Sequence, residues 1–118
     1  MSLRFLNFKV YQDAKKLHHQ IVLITKRFPT EFLYLKDQLR RSSLSIVLNI
    51  AEGSAKRSDK DFNRYLENSM GSANETAAGL DVALFEGLIS ESDYKRLISL
   101  CEEVVNQLGG FSKTLIKR

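Results

Sequence analysis

Tyr94, Leu97, Cys101, Val104, Leu108, Phe111 and Leu115 recur at alternating spacings of three and four. This is the mark of one helical face. Its phase survives Gly109-Gly110, so the spacing predicts a helix that continues through both, although each glycine costs about 1 kcal/mol against alanine. Three earlier stripes follow the same rule: Val10, Ala14, Leu17, Ile21, Ile24, Phe28; then Leu35, Leu39, Ile46, Ile50; then Phe62, Leu66, Ala73, Ala77, Leu80, Leu84. No period-two pattern competes with them.

The breaks between stripes are few. Pro29 is the only proline, and it pushes the residue before it out of the helical region, so the first helix should end near Phe28. Thr30 or a neighbour is expected to cap the second helix. Ser58-Asp59-Lys60-Asp61 and Ser90-Glu91-Ser92-Asp93 each join a hydroxyl to an acidic first turn, the chemistry of a helix start. Gly87 closes the third helix. Four amphipathic helices with short connections predict an all-α, up-down-up-down antiparallel four-helix bundle, with residues 1–118 as a single domain.

With 43% hydrophobic and 27% charged residues, the composition is that of a globular chain rather than a disordered one. No stretch is long and apolar enough for a membrane span or signal peptide, so a cytoplasmic protein with no membrane partner is expected.

The segment Arg40-Arg-Ser-Ser-Leu-Ser-Ile-Val-Leu-Asn-Ile-Ala-Glu52 carries more than a core stripe. Arg41, Ser45, Asn49 and Glu52 share one arc of the second helix, and Arg64, Asn68, Ser72 and Glu75 share one arc of the third. Antiparallel neighbours bring together residues whose numbers have a constant sum. Arg41 with Glu75, Ser45 with Ser72, Asn49 with Asn68 and Glu52 with Arg64 all satisfy that condition to within one residue. A buried polar seam that sets pairing and register is therefore expected. Gly71, Ala73, Ala78 and Gly79 flank it and would let the backbones approach. Two solvated faces of similar composition are the competing reading. A further arc of the second helix, Leu44, Val47, Leu48 and Ala51, is apolar beyond what a bundle core needs and is the expected oligomer interface.

This stretch resembles the signature of the four-helix-bundle proteins encoded in intervening sequences of bacterial 23S rRNA genes. The likeness rests on Gln38-Leu39-Arg40-Arg41, Ser45-Ile46, Asn49-Ile50-Ala51-Glu52-Gly53, Phe62, Leu66, Gly71-Ser72 and Glu75, with Tyr11 and Pro29 in the expected early positions. Ser43, commonly alanine in that family, and Asn68-Ser69-Met70 depart from it. The resemblance implies a cytoplasmic homo-oligomer, a ring of five, with suspected RNA or DNA binding and no enzymatic activity. The chain is also similar to accessory proteins of diversity-generating retroelements, basic rings that assist a reverse transcriptase.

The residues offer little else for chemistry. His18 and His19 point about 100° apart on a helix and cannot chelate one metal together. No Glu-x-x-His motif for a di-iron bundle occurs. Cys101 sits on a core stripe as a small hydrophobe. No enzyme, cofactor or metal is expected. Charge is more informative. The net charge is +4, but one end of an up-down-up-down bundle would gather Arg4, Lys9, Lys56, Arg57, Lys60, Lys113, Lys117 and Arg118 against only Asp59 and Asp61. Such an end is a candidate phosphate-binding surface; a solvated end that aids solubility is the plainer reading. A protein-interaction scaffold, such as an accessory subunit for a reverse transcriptase, is the alternative function.

Overall fold

The structure is a computed structural model that describes residues 3–116. A 3₁₀ turn, Arg4–Asn7, leads into α1 (Lys9–Thr25); a second, Thr30–Phe32, precedes α2 (Leu33–Ser54). The chain continues through α3 (Asp59–Phe85) and α4 (Glu91–Ile116). Among the described residues, each helix lies beside its neighbours in the cyclic order α1, α2, α3, α4 and back to α1. The four helices thus form an antiparallel bundle within an envelope of 46 × 24 × 20 Å.

Helix ends follow local chemistry. Ser58 Oγ accepts from the Asp61 N–H at 3.1 Å, and Ser90 Oγ accepts from the Asp93 N–H at 3.0 Å. Each hydroxyl satisfies a first-turn donor that lacks an intrahelical partner. Gly87 takes φ +75°, the left-handed conformation that releases the chain after α3. The second start differs from expectation. Thr30 opens a 3₁₀ turn after Pro29, and α2 begins at Leu33 with no side-chain cap. α4 runs unbroken through Gly109 and Gly110.

Leu17, Ile21, Leu39, Ile46, Ile50, Phe62, Leu66, Leu80, Leu97, Val104 and Leu108 are buried almost completely. Each contributes about 1.5–3 kcal/mol of apolar burial. At the end that holds the α2–α3 connection, aromatic rings close the core. Phe111 meets Phe8 and Phe62 edge to face, both at 5.1 Å between centroids. Arg4 lies over this cluster, 5.3 Å from the Phe62 centroid, and donates to the Ser54 carbonyl at 3.2 and 3.1 Å. It thereby satisfies an exposed carbonyl at the C-terminus of α2.

Candidate functional site

The α2–α3 junction is polar, but its polarity is made of hydroxyls. Ser45 Oγ and Ser72 Oγ lie 2.8 Å apart, and Ser42 Oγ and Thr76 Oγ1 are also 2.8 Å apart. Ser69 Oγ donates to the Ile46 carbonyl at 2.7 Å. Ser42, Ser69 and Thr76 are buried, and none had been assigned to the seam from the sequence. Their signal was positional: Ser42 lies three residues beyond Leu39 and four before Ile46, within the apolar stripe.

The charged pairs expected across the junction do not form. Glu75 accepts from the Gln38 amide instead of Arg41. Arg64 pairs with Asp61 in its own helix at 2.7 Å, and Glu52 lies 4.0 Å from Lys56, just past the end of its helix. Asn49 donates back to the Ser45 carbonyl at 2.9 Å and to Ser45 Oγ at 3.1 Å, while Asn68 is exposed. The cause is the closeness of the helices. A Cβ on Gly53 would stand 2.7 Å from Tyr65 Cβ, and one on Gly79 would stand 2.7 Å from Leu39 Cδ2. Such a gap admits hydroxyls and excludes long side chains. Arg41, Glu52, Arg64 and Glu75 are displaced to the exposed rim, where Arg64 and Glu52 pair one turn along the chain and Glu75 takes the neutral Gln38 amide. Gly71, in contrast, has nothing within 4 Å of its Cβ position and takes no part in the close approach.

The outer arc of α2 divides. Leu44 and Leu48 are 40% and 54% exposed and Ala51 is half-buried, whereas Val47 is 5% exposed and belongs to the bundle core. Val47 follows Ile46 and Ser43 into the buried stripe and is unavailable to a partner. On the α1 side, His18 Nδ1 and Ser43 Oγ lie 2.8 Å apart, and Arg40 donates to Thr25 Oγ1 and the Val22 carbonyl at 2.9 and 3.0 Å. Burial, then the nearby Arg40 charge, holds the His18 imidazole below its ordinary range. Burial pushes the Cys101 thiol up to about 11, which leaves it protonated and unreactive.

The topology places Lys9 at the start of α1, Lys56 and Arg57 in the α2–α3 connection, Lys60 in the first turn of α3 and Lys113 in the last turn of α4. All are at one end of the bundle, beside Arg4; Lys117 and Arg118 lie outside the described residues. These cations are not equivalent. Arg4 is committed to Ser54 and Phe62, Lys9 pairs with Asp13 at 2.6 Å, and Lys56 sits 4.9 Å from the Tyr65 ring centroid. Arg57, Lys60 and Lys113 are exposed and make no ion pair among the described residues. The same described residues contain no helix long and apolar enough to cross a membrane, and no three metal-ligating side chains converge.

Fold and surface together define a class of small helical bundle proteins with a tight α2–α3 hairpin and a basic end. Within that class, the chain belongs to the 23S rRNA-intervening sequence protein family, whose description matches residues 6–110. The fold is also that of a protein of unknown function from the S23 ribosomal protein family of Bacteroides thetaiotaomicron. That similarity has a TM-score of 0.81 at 24% identity and covers 88% of this chain and 98% of the other. No curated protein matches.

Proposed function

We propose that the chain is a non-enzymatic, cytoplasmic subunit of a ring-shaped homo-oligomer, five copies by family resemblance, that binds the phosphate backbone of RNA or DNA. The observation that carries this reading is the set of exposed cations Arg57, Lys60 and Lys113 at one end of the bundle, which make no ion pair among the described residues. Lys56 adjoins them. Repeating such an end around a ring multiplies weak phosphate contacts by avidity. The contacts neutralise backbone charge and carry little base readout, so binding is weakly sequence-specific.

Counterion release makes affinity fall steeply with salt, in proportion to the phosphates neutralised. Replacing Lys56, Arg57 and Lys60 with glutamine is expected to weaken binding to a mixed-sequence RNA about tenfold or more and to flatten the salt slope. A filter-binding titration measures both. Unchanged affinity and slope would reject the basic end as the site.

A second reading, a scaffold for a protein such as a reverse transcriptase, is favoured by one feature. Leu33, Tyr34, Val82 and Phe85, 50%, 65%, 43% and 88% exposed, lie where the start of α2 meets the end of α3, opposite the basic end. Salt-insensitive co-purification with one protein would support it.

A further inference from the structure

The three rings that close the core at the basic end, Phe8, Phe62 and Phe111, each stand within two residues of a lysine: Lys9, Lys60 and Lys113. Where Phe8 and Phe111 meet, between the start of α1 and the end of α4, the surface holds a cleft of about 320 Å³. Phe8, Lys9 and Val10 line it from the α1 side, and Gln107, Gly110 and Phe111 from the α4 side. Both phenylalanines are half-buried, packed on the core and bordering the cleft. We propose that this cleft receives one unstacked base of a single-stranded nucleic acid, laid against Phe8 and Phe111, while Lys60 and Lys113 hold the neighbouring phosphates. The proposal rests on the nucleic-acid reading of the basic end and narrows its ligand to single strands.

Three observations select a base as the occupant. First, a phosphate needs spare positive charge, and the cleft has none. Lys9 pairs with Asp13 at 2.6 Å, and Glu103 adds negative charge nearby. A neutral flat ring has no such need, and stacking on an aromatic side chain tolerates every base. The cations without an ion pair among the described residues lie just outside: Lys113 three residues beyond Gly110, and Lys60 beside Phe62, whose ring is 5.1 Å from that of Phe111.

Second, α4 carries two glycines in succession although glycine is a poor helix former, and a Cβ on either would meet nothing within 4 Å. No packing inside the chain calls for them. Gly110 instead keeps its side of the cleft clear, so a ligand can approach the helix backbone. Third, the polar edge and the size suit one base. Gln107 is oriented by its 2.7 Å bond to Asp13 Oδ2 and brings an amide to the same cleft as the rings. The volume lies at the small end of the usual range for ligand pockets, about 300–1,000 Å³. Bases in a duplex are paired and stacked, and none can enter without being flipped out.

Fluorescence anisotropy on the purified protein tests this with a labelled mixed-sequence strand, made once as RNA and once as DNA, against the same strand annealed to its complement. In the chemistry that binds, the single strand should bind about tenfold more tightly than the duplex. Gly110→Leu, which places a side chain in the cleft without meeting a neighbour at its Cβ, should remove most of that preference. It should leave the salt slope unchanged, because no phosphate contact is lost. Lys60→Gln with Lys113→Gln should do the reverse, flattening the slope and keeping the preference. Circular dichroism checks that each variant keeps its helices. On the wild-type protein, irradiating a strand that carries 5-iodouridine should attach it to Phe8 or Phe111, located by mass spectrometry of the digest. Failure of every probe to bind would overturn the nucleic-acid reading and the cleft together. Equal binding of strand and duplex, a preference that Gly110→Leu leaves intact, or no cross-link at either ring would overturn the cleft alone.

Discussion

The two long sides of α3 are built to opposite ends from similar materials. Toward α2, Gly53 and Gly79 bring two helices so close that a single added carbon would collide. Toward α4, Ala73 and Ala77 border an open groove. Small residues alone therefore do not announce close packing. What separates the sides at this level is the pairing: α2 and α3 bond hydroxyl to hydroxyl across the narrow gap, whereas Ala73 and Ala77 offer no polar side chain to the groove's α4 wall. A junction that satisfies its polar groups internally can afford to be tight.

The sharpest way to break this comparison is to add one carbon on the tight side. Gly53→Ala should destabilise the protein by about 1–3 kcal/mol, because Tyr65 Cβ at 2.7 Å is fixed to its backbone and cannot swing away. Gly71→Ala, in open space on the same helix pair, should stabilise it by about 0.5–1 kcal/mol through helix propensity. Urea denaturation of both variants checks the pair, and effects of equal sign would remove the contrast.

A smaller effect separates hydroxyl from charge. Ser69→Ala removes the donor to the Ile46 carbonyl inside the junction and should cost about 1 kcal/mol. Arg64→Ala removes an exposed pair within one helix and should stay within about 0.5 kcal/mol. A loss of several kcal/mol for Arg64→Ala would restore the buried charged seam.

The smallest effect expected is a pH slope on the α1–α2 side. His18 is held below its ordinary 6.5 by burial, so the unfolded chain takes up the proton first on acidification. The stabilisation is therefore complete above about pH 7 and is lost as pH falls through 6.5 toward the lowered folded value. Thermal melts between about pH 7.5 and 5 should show a slope that His18→Gln reduces. An unchanged slope in that variant would exclude His18 as its source.

The architecture was legible because helical periodicity is a long signal: stripes of four to seven residues agree in phase across each helix, and both serine caps lie where the sequence puts them. The seam was legible only as an arc. The constant-sum rule identified Ser45 with Ser72, since those side chains are too short to reach elsewhere. It failed for Arg41, Glu52, Arg64 and Glu75, whose length lets them find partners close along the chain, choose another residue across the junction as Glu75 chooses Gln38, or stay in solvent. Val47 was misplaced because adjoining arcs of a helix differ by one residue, and burial on two sides blurs the boundary between them. The α3–α4 groove left no trace in the pattern, because alanine at Ala73 and Ala77 fits a core stripe as well as a trough wall.

The cyclic order of the helices also settles which part of the molecule must wait during folding. α2 and α3 are joined by a short connection, and their junction can close with little loss of chain entropy. α1 meets α4 through pairs such as Asp13 with Gln107 and Gln20 with Arg96, 94 and 76 residues apart in sequence. While the polypeptide is being made, the apolar face of α1 can therefore rest on α2 alone. The slot that α4 will occupy stays open until α4 itself has been made, and in that interval the nascent chain exposes the greasy surface that attracts chaperones or promotes aggregation.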